Sequence, residues 1–444
     1  MPPPALSRRA FLQTASAAGF AAALPLAGGC AARDNPARDT LAKILVVGGG
    51  AAGLAMAATL RRLLPRATIS VAEPSERHVC QPALTLAAAG ECAAGDIVRD
   101  EAGLIPPDVR WIRSAVAEID ADNKTAALAS GEKVRYDFLV LAPGAKQDWN
   151  AVEGVSLATL GQGNVHSVYD REGADRTARA LRRLATVGGR ALFADAWTPT
   201  SCRGAAKSVC LLAEDLSRRL NARDRLQIDF FTAARQLCDA PFYAPRMKRI
   251  FAERQIPAWT GVRLVGVDAP NRKATFEQLR TKETFTEEYE FLHFAPPQSA
   301  PDFIRGSGLG WTEGPFAEGA WIKVDPVTLV HLDHPGIVAL GDAAALPTAK
   351  TASAVRRQVP VAAANLCSVI AGRTPAATYD GSAADPVATD FGHVLRVDAD
   401  YEHRPVPEFP YALADMSRES ACAWWDFRYL SVPAYFNLLL RGRV

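Results

Sequence analysis

At 444 residues the chain exceeds one ordinary hydrophobic core and fits two or three domains of common size. Its formal net charge of +2 is close to neutral, and no Lys/Arg block is interleaved with aromatic residues, which argues against a nucleic-acid partner. Eight cysteines in so long a chain are too few for a disulfide scaffold, and none forms a CxxC or zinc-ligand pattern, so no metal site is expected.

The chain opens with Ser7-Arg8-Arg9-Ala10-Phe11-Leu12 followed by an Ala-rich apolar run to Leu26, the pattern of a twin-arginine export signal over residues 1–30. That route carries folded proteins and predicts a periplasmic location. Ala27-Gly28-Gly29-Cys30 offers a lipoprotein box as an alternative, with Ala27 where Leu is usual. Residues 31–42, rich in Arg, Asp, Asn and Pro at their start, read as a disordered linker, and structure is expected to begin near Lys43.

A short apolar strand at 44–47 runs directly into Gly48-Gly49-Gly50-Ala51-Ala52-Gly53, which opens an Ala/Leu-rich helix through Leu64. Gly48 permits the tight turn, Gly50 and Ala52 lie where a pyrophosphate meets the helix N-terminus, and Gly53 lets helix and strand pack closely. A second strand, 68–72, ends at Glu73, twenty residues after Gly53, where a carboxylate can accept hydrogen bonds from ribose hydroxyls. Pro74 and Arg77 continue this loop as further cofactor contacts.

Two later segments favour FAD over NAD at this fingerprint. The strand before Ala142-Pro143-Gly144-Ala145 resembles the second dinucleotide-contact motif of two-dinucleotide-binding flavoproteins, with Ala142 and Gly144 at the cofactor. Another strand ends in Gly341-Asp342, where that superfamily places a carboxylate on the flavin ribityl chain. From Leu346, through Lys350 and Thr351, the sequence reads as a helix start and then a helix to about Ile370, whose N-terminal dipole would face the flavin pyrimidine edge. The fold class that follows is α/β, with two Rossmann-like dinucleotide-binding domains. The FAD domain is split as 43–161 and 301–373, residues 162–300 form a second Rossmann-like domain, and 374–444 form a C-terminal interface region.

An NADH site would need a second GxGxxG after a mid-chain strand. The strand at 190–196 is followed instead by Trp197-Thr198-Pro199-Thr200-Ser201-Cys202, and Gly188-Gly189 precede the strand and cannot serve. A thiol thus stands where a pyrophosphate cradle belongs.

The chain resembles the sulfide:quinone oxidoreductases, particularly their mitochondrial-type branch. The matching residues are the flavin motifs, Glu73-Pro74-Ser75-Glu76-Arg77-His78 with Gln81-Pro82, Cys202-Arg203-Gly204-Ala205-Ala206-Lys207, Gly341-Asp342 with Leu346-Pro347-Thr348-Ala349-Lys350-Thr351, Tyr379-Asp380-Gly381 and Leu438-Leu439-Leu440-Arg441-Gly442. The resemblance implies bound FAD, two redox cysteines beside it, oxidation of sulfide or a related sulfur compound, and a membrane quinone as acceptor. Cys202 matches the first redox cysteine. The second is expected after the Gly-Asp pair, where this chain has Ala343, so the implied mechanism must differ.

Cys80, in the loop after the second strand, is the candidate compensation. The related flavocytochrome c sulfide dehydrogenases attach FAD through a cysteine in the corresponding loop, which makes a thioether from Cys80 one expectation. A Cys80–Cys202 disulfide and a plain buried thiol are the others. Cys210 is expected in the core, and a structural Cys92–Cys238 bridge is left open. Lys207 and Lys350 are candidates for stabilising anionic states, while His78 fits a loop-packing role equally well.

Residues 422–440 mix Trp424, Trp425, Phe427, Tyr429, Tyr435 and Phe436 with leucines and Arg428, but no run reaches the ~18–20 apolar residues that span a bilayer. An interfacial segment beside a quinone channel and a core-packing segment are both compatible with this composition. A periplasmic cytochrome c is the alternative acceptor, and a flavin-binding accessory protein without turnover is the alternative from another class.

Overall fold

The computed structural model describes residues 35–443. The export signal and Cys30 lie outside the described residues. The chain is not an idle linker up to Lys43: Asn35 Nδ2 donates to the Leu63 carbonyl at 2.9 Å and Ala37 is buried in the core. The polar composition of this stretch is used in a turn, Arg38 N–H to Asn35 O at 3.1 Å, that docks on the end of the first helix.

Strand β1 (Lys43–Val47), helix α1 (Ala51–Leu63), and strands β2 (Thr68–Ala72), β3 (Arg110–Ile112) and β4 (Phe138–Leu141) form the first half of the molecule. The middle of the chain supplies β5 (Val165–His166), α2 (Ala174–Val187), β6 (Gly189–Ala194), α3 (Gly204–Arg219), β7 (Leu226–Thr232), β8 (Ala258–Thr260) and β9 (Phe291–Phe294). The chain then returns to the first half as β10 (Ile337–Ala339) and α4 (Ala352–Ile370), and closes with the hairpin β11 (Ala383–Asp390) and β12 (His393–Ala399).

Two five-stranded sheets result, in the orders β10-β4-β1-β2-β3 and β5-β9-β6-β7-β8, and all of their pairings are parallel. Continuous apolar strands suit such sheets, because helices and loops cover both faces: β1 is buried from Ile44 to Val47 and β10 throughout. Helices α1 and α4 pack together on the first sheet. The carboxyl ends of β1, β4 and β10 converge there, which is where open α/β sheets hold ligands.

The long helix begins later than its sequence suggests. Leu346 to Lys350 are not helical, because the Lys350 carbonyl accepts from Cys202 N–H at 2.9 Å, and helical geometry starts only after Thr351, whose hydroxyl caps Ala354 N–H at 3.3 Å. The last segment combines short α- and π-helical stretches, Ala421–Trp425, Asp426–Leu430, Ser431–Ala434 and Tyr435–Leu439. Among the described residues, no helix is long and apolar enough to cross a membrane.

Candidate functional site

The dinucleotide loop has the geometry its glycines require. A Cβ on Gly53 would lie 1.8 Å from the Gly48 carbonyl oxygen, so only glycine lets α1 start against β1. A Cβ on Gly50 would meet nothing within 4 Å, and Gly50 caps α1 with no side-chain bond, so open space and free amides face outward together. Glu73 accepts from Gly49 N–H at 2.7 Å and Ser75 N–H at 2.8 Å, which fixes its carboxylate at the loop. Ala142 approaches Gly48 from the end of β4, and Gly144 and Gly341 both turn the chain with φ of +73°. Ala52 is buried at the start of α1. These residues fit an FAD adenylate and pyrophosphate. Pro74 and Arg77 are exposed, and Arg77 Nη1 lies 3.5 Å from Glu172 Oε1 at the surface.

Asp342 follows Gly341 into the interior. Its Oδ2 accepts from Ser201 Oγ at 2.5 Å, and burial raises its carboxyl above the usual range. Lys350 spends its charge differently from the sequence expectation: Nζ donates to the carbonyls of Asp342 at 2.6 Å and Ala344 at 2.8 Å and sits 4.2 Å from the Trp321 ring centre. Burial brings the Lys350 ammonium down to about 8. Thr351 acts as a helix cap and donates to the Ala384 carbonyl at 2.9 Å, tying α4 to β11.

Cys202 lies two residues before α3 with φ +50°, in the left-handed region that non-glycine residues seldom enter. Three fixtures hold it there. Its N–H reaches Lys350 O; its carbonyl accepts from Ala205 N–H at 2.8 Å and from Tyr169 Oη at 3.1 Å; and Ser201 N–H donates to Gln298 Oε1 at 3.0 Å. Burial pushes the thiol well up, and the charges of Asp385 and Asp342 push the same way, so the resting sulfur is protonated.

Asp385 of β11 accepts from Gly204 N–H, the first residue of α3, at 3.1 Å, and its own carboxyl is raised by burial. Lys207, one turn on, is paired at 2.5 Å with Asp195 Oδ2. Arg203, Lys207, Asp195, Asp385 and Cys238 line a cavity of about 660 Å³, of which Cys202 is not a lining residue. Ala343 is fully buried, with its carbonyl accepting from Ile322 N–H at 2.9 Å. The titratable groups within electrostatic reach of Cys202 are Asp385, Asp342 and Cys80, and none of them is at position 343.

Cys80 is also fully buried, with N–H to Ile97 O at 2.8 Å, and burial pushes it up to about 12. Cys80, Cys92, Cys202, Cys210, Cys238, Cys367 and Cys422 are all free thiols. Neither the Cys80–Cys202 disulfide nor the Cys92–Cys238 bridge is formed. Cys210 packs in the apolar core around α3. His78 does more than fill a loop: Nδ1 lies 2.9 Å from Glu101 Oε2 and Nε2 lies 2.9 Å from Tyr435 Oη.

Tyr169, Gln298, Asp385 and Glu101 are the residues that sequence reasoning missed, and Tyr435 reads in the sequence only as one aromatic of the C-terminal segment. None lies in a motif around Cys202 or the glycines, and only folding brings them to the site.

Comparison with known proteins places this geometry. The pyridine nucleotide-disulphide oxidoreductase family matches residues 42–191. The mitochondrial sulfide:quinone oxidoreductase of Mus musculus is 32% identical over 402 residues, covering 90% of this chain and 86% of that protein. Among solved structures, the sulfide:quinone oxidoreductase of Aquifex aeolicus superposes with a TM-score of 0.72 at 22% identity, over 90% of this chain and 91% of that one. A chain in the mitochondrial ATP synthase assembly of Tetrahymena thermophila has the same fold, with a TM-score of 0.77 at 20% identity, over 91% of this chain and 96% of its own length.

Proposed function

Since the chain belongs to the sulfide:quinone oxidoreductase family of FAD-dependent enzymes, we propose that it oxidises sulfide, or a related low-molecular-weight sulfur compound, at Cys202 and passes two electrons to a quinone. The observation that carries this reading is Cys202 itself, held with φ +50° between Lys350, Tyr169 and Ala205, one residue from the Ser201–Asp342 bond. Bound FAD supplies the two-electron carrier. The loop of Gly48, Gly50 and Gly53 with Glu73 would hold its adenosine and pyrophosphate, and Asp342 its ribityl chain.

The rest is the work of the chain's own side chains. A protonated thiol is a poor nucleophile, so Cys202 must lose its proton before its sulfur can bond. We assign that proton to Asp385, whose carboxylate is fixed on Gly204 N–H, two residues after Cys202, at 3.1 Å and acts on the thiol's charge. The carboxylate stays on the N-terminal amide of α3, and Lys207 and Arg203 oppose its raised affinity for protons. The exposed residues of the C-terminal segment support a quinone arriving from a membrane surface.

Anaerobic addition of sulfide to the FAD-loaded protein tests the reaction. Wild type is expected to lose its flavin absorbance, and Cys202→Ala to keep it. A wild-type spectrum unchanged by sulfide sinks the proposal, and bleaching of Cys202→Ala at the wild-type rate sinks the role of the thiol.

The finer reading concerns Cys80. With Ala343 apolar and no disulfide at Cys202, Cys80 is the sulfur within electrostatic reach of Cys202. We propose that it would form a thioether to the flavin 8α carbon, the S–H bond and one 8α C–H bond breaking as the S–C bond forms and the two electrons released passing through the flavin to the quinone acceptor, which removes a buried thiol that has no partner sulfur. Acid-precipitated protein is then expected to stay yellow, whereas Cys80→Ser should release all its FAD to the supernatant. Complete release from wild type would refute the bond.

A further inference from the structure

Glu101, His78 and Tyr435 are buried side chains joined end to end by two 2.9 Å contacts, Glu101 and His78 beside one antiparallel strand pair and Tyr435 357 residues further on from His78. Glu101 is 1% exposed, and its second oxygen, Oε1, has no hydrogen-bond partner among the described residues. At the inner end that oxygen lies against the dinucleotide loop: a Cβ on Gly49 would come within 2.5 Å of it. At the other end Tyr435 belongs to the C-terminal segment, whose outward residues Tyr429, Leu430 and Leu438 are exposed. Tyr435 also stands within electrostatic reach of Cys80 and Asp342. The chain of three therefore runs from the cofactor loop to the segment where the acceptor is expected.

We propose that Glu101, His78 and Tyr435 form a proton relay that delivers one proton to the quinone as it is reduced. This rests on the quinone acceptor of the preceding section. A quinone becomes a quinol by gaining two electrons and two protons. The reduced flavin brings the electrons and one proton, and the relay brings the other. The Tyr435 O–H bond breaks as the quinol O–H forms, the Nε2 proton of His78 passes to the tyrosine oxygen, and the Glu101 carboxyl proton passes to Nδ1. The carboxylate left on Glu101 regains a proton from solvent by way of the half-buried Glu73, which lies against the same face of Gly49, and the His78 proton returns from Nδ1 to Nε2 before the next transfer.

The polarity of the relay depends on one proton. If Glu101 were ionised, Nδ1–H would donate to it, Nε2 would accept from Tyr435, and the tyrosine proton would be spent inside the chain. If Glu101 is protonated, it donates to Nδ1, Nε2–H donates to Tyr435, and the phenol proton is free to leave. Burial raises the Glu101 carboxyl, and the neighbouring Glu73 and Asp100 act in the same direction while His78 opposes them. An anion with one oxygen buried and unpartnered is the costlier state, so the loaded polarity is the resting one. The titratable groups that act on Tyr435 are Cys80, Glu101, Arg171 and Asp342, and the Phe436 ring, covered by Arg99, closes over His78.

The resting polarity has a signature that needs no turnover. In the oxidised FAD-loaded protein at neutral pH, infrared spectra are expected to show a neutral-carboxyl C=O band that shifts in D₂O and vanishes in Glu101→Gln. A wild type without that band overturns the proposal. The transfer is read by reducing the protein with dithionite, which bypasses sulfur chemistry, and mixing it anaerobically with a short-chain quinone. Tyr435→Phe is expected to reoxidise on the order of 100-fold more slowly and to lose the solvent isotope effect of wild type. Reoxidation of Tyr435→Phe at the wild-type rate and isotope effect overturns the relay, as does a wild type that quinone does not reoxidise. Tyr435→Phe keeps the ring and Glu101→Gln keeps the shape, so each backs up the other if one folds poorly. A protein that fails to bleach with sulfide yet passes both tests refutes the sulfur donor and leaves the relay standing.

Discussion

At the scale of single residues the decisive relation is between Cys202 and the carboxylates around it. A thiolate beside an ionised carboxylate is disfavoured, so Asp385 and burial both hold Cys202 above its ordinary range. Neutralising Asp385 should therefore lower the pH at which the thiolate appears. In Asp385→Asn, alkylation of Cys202 by iodoacetamide, followed by peptide mass, is expected to shift to lower pH by about one unit or more. An unchanged profile would mean that Asp385 does not act on the thiol. These partners are not legible in the sequence: Asp385 and Gly204 are 181 residues apart, and Ser201 and Gln298 are 97 apart. Cys202 itself is legible, because it replaces a glycine loop at a predictable place after a strand.

At the scale of elements, legibility follows from how local the determinants are. The β1–loop–α1–β2 unit can be read directly, since strand, glycines, helix and acid fall within about thirty residues and each has a steric or hydrogen-bonding reason. The start of α4 cannot, because propensity at Leu346 to Lys350 is overridden by a backbone bond from Cys202 that the chain makes only when folded. Lys350 reads as a cation for the flavin, yet its ammonium is consumed by two carbonyls and the Trp321 face. The turn at Asn35 looks like linker because its anchor, the Leu63 carbonyl, is 28 residues away. His78 reads as ambiguous for the same reason: its partner Tyr435 is 357 residues distant.

At the scale of the whole molecule the C-terminal segment joins the flavin fold to its surroundings. Its inner side, Tyr435, Phe436, Leu439 and Leu440, is buried in the core of the first sheet, and the Arg62 guanidinium holds the carbonyls of Arg441 and Gly442. Its outer side leaves Trp425 38% and Tyr429 55% exposed, with Leu430 and Leu438 beside them and Phe409 and Leu413 exposed in the preceding loop. The sequence offered core packing and a membrane interface as rivals, and the fold divides the segment between a packed side and a bare one. Aromatic and aliphatic groups with flanking arginines are the chemistry of a surface that lies at a bilayer boundary without crossing it. If this side meets lipid, wild type should sediment with anionic phospholipid vesicles. Replacing Tyr429 and Leu430 together by serine should weaken that binding on the order of tenfold or more, since each buried side chain contributes roughly 1.5–3 kcal/mol and 1.4 kcal/mol is tenfold. Flavin content and sulfide bleaching should be retained, because neither side chain reaches the Cys202 site. Equal sedimentation of both proteins, or none of wild type, would place the acceptor encounter elsewhere on the molecule and take the quinone path away from Tyr435.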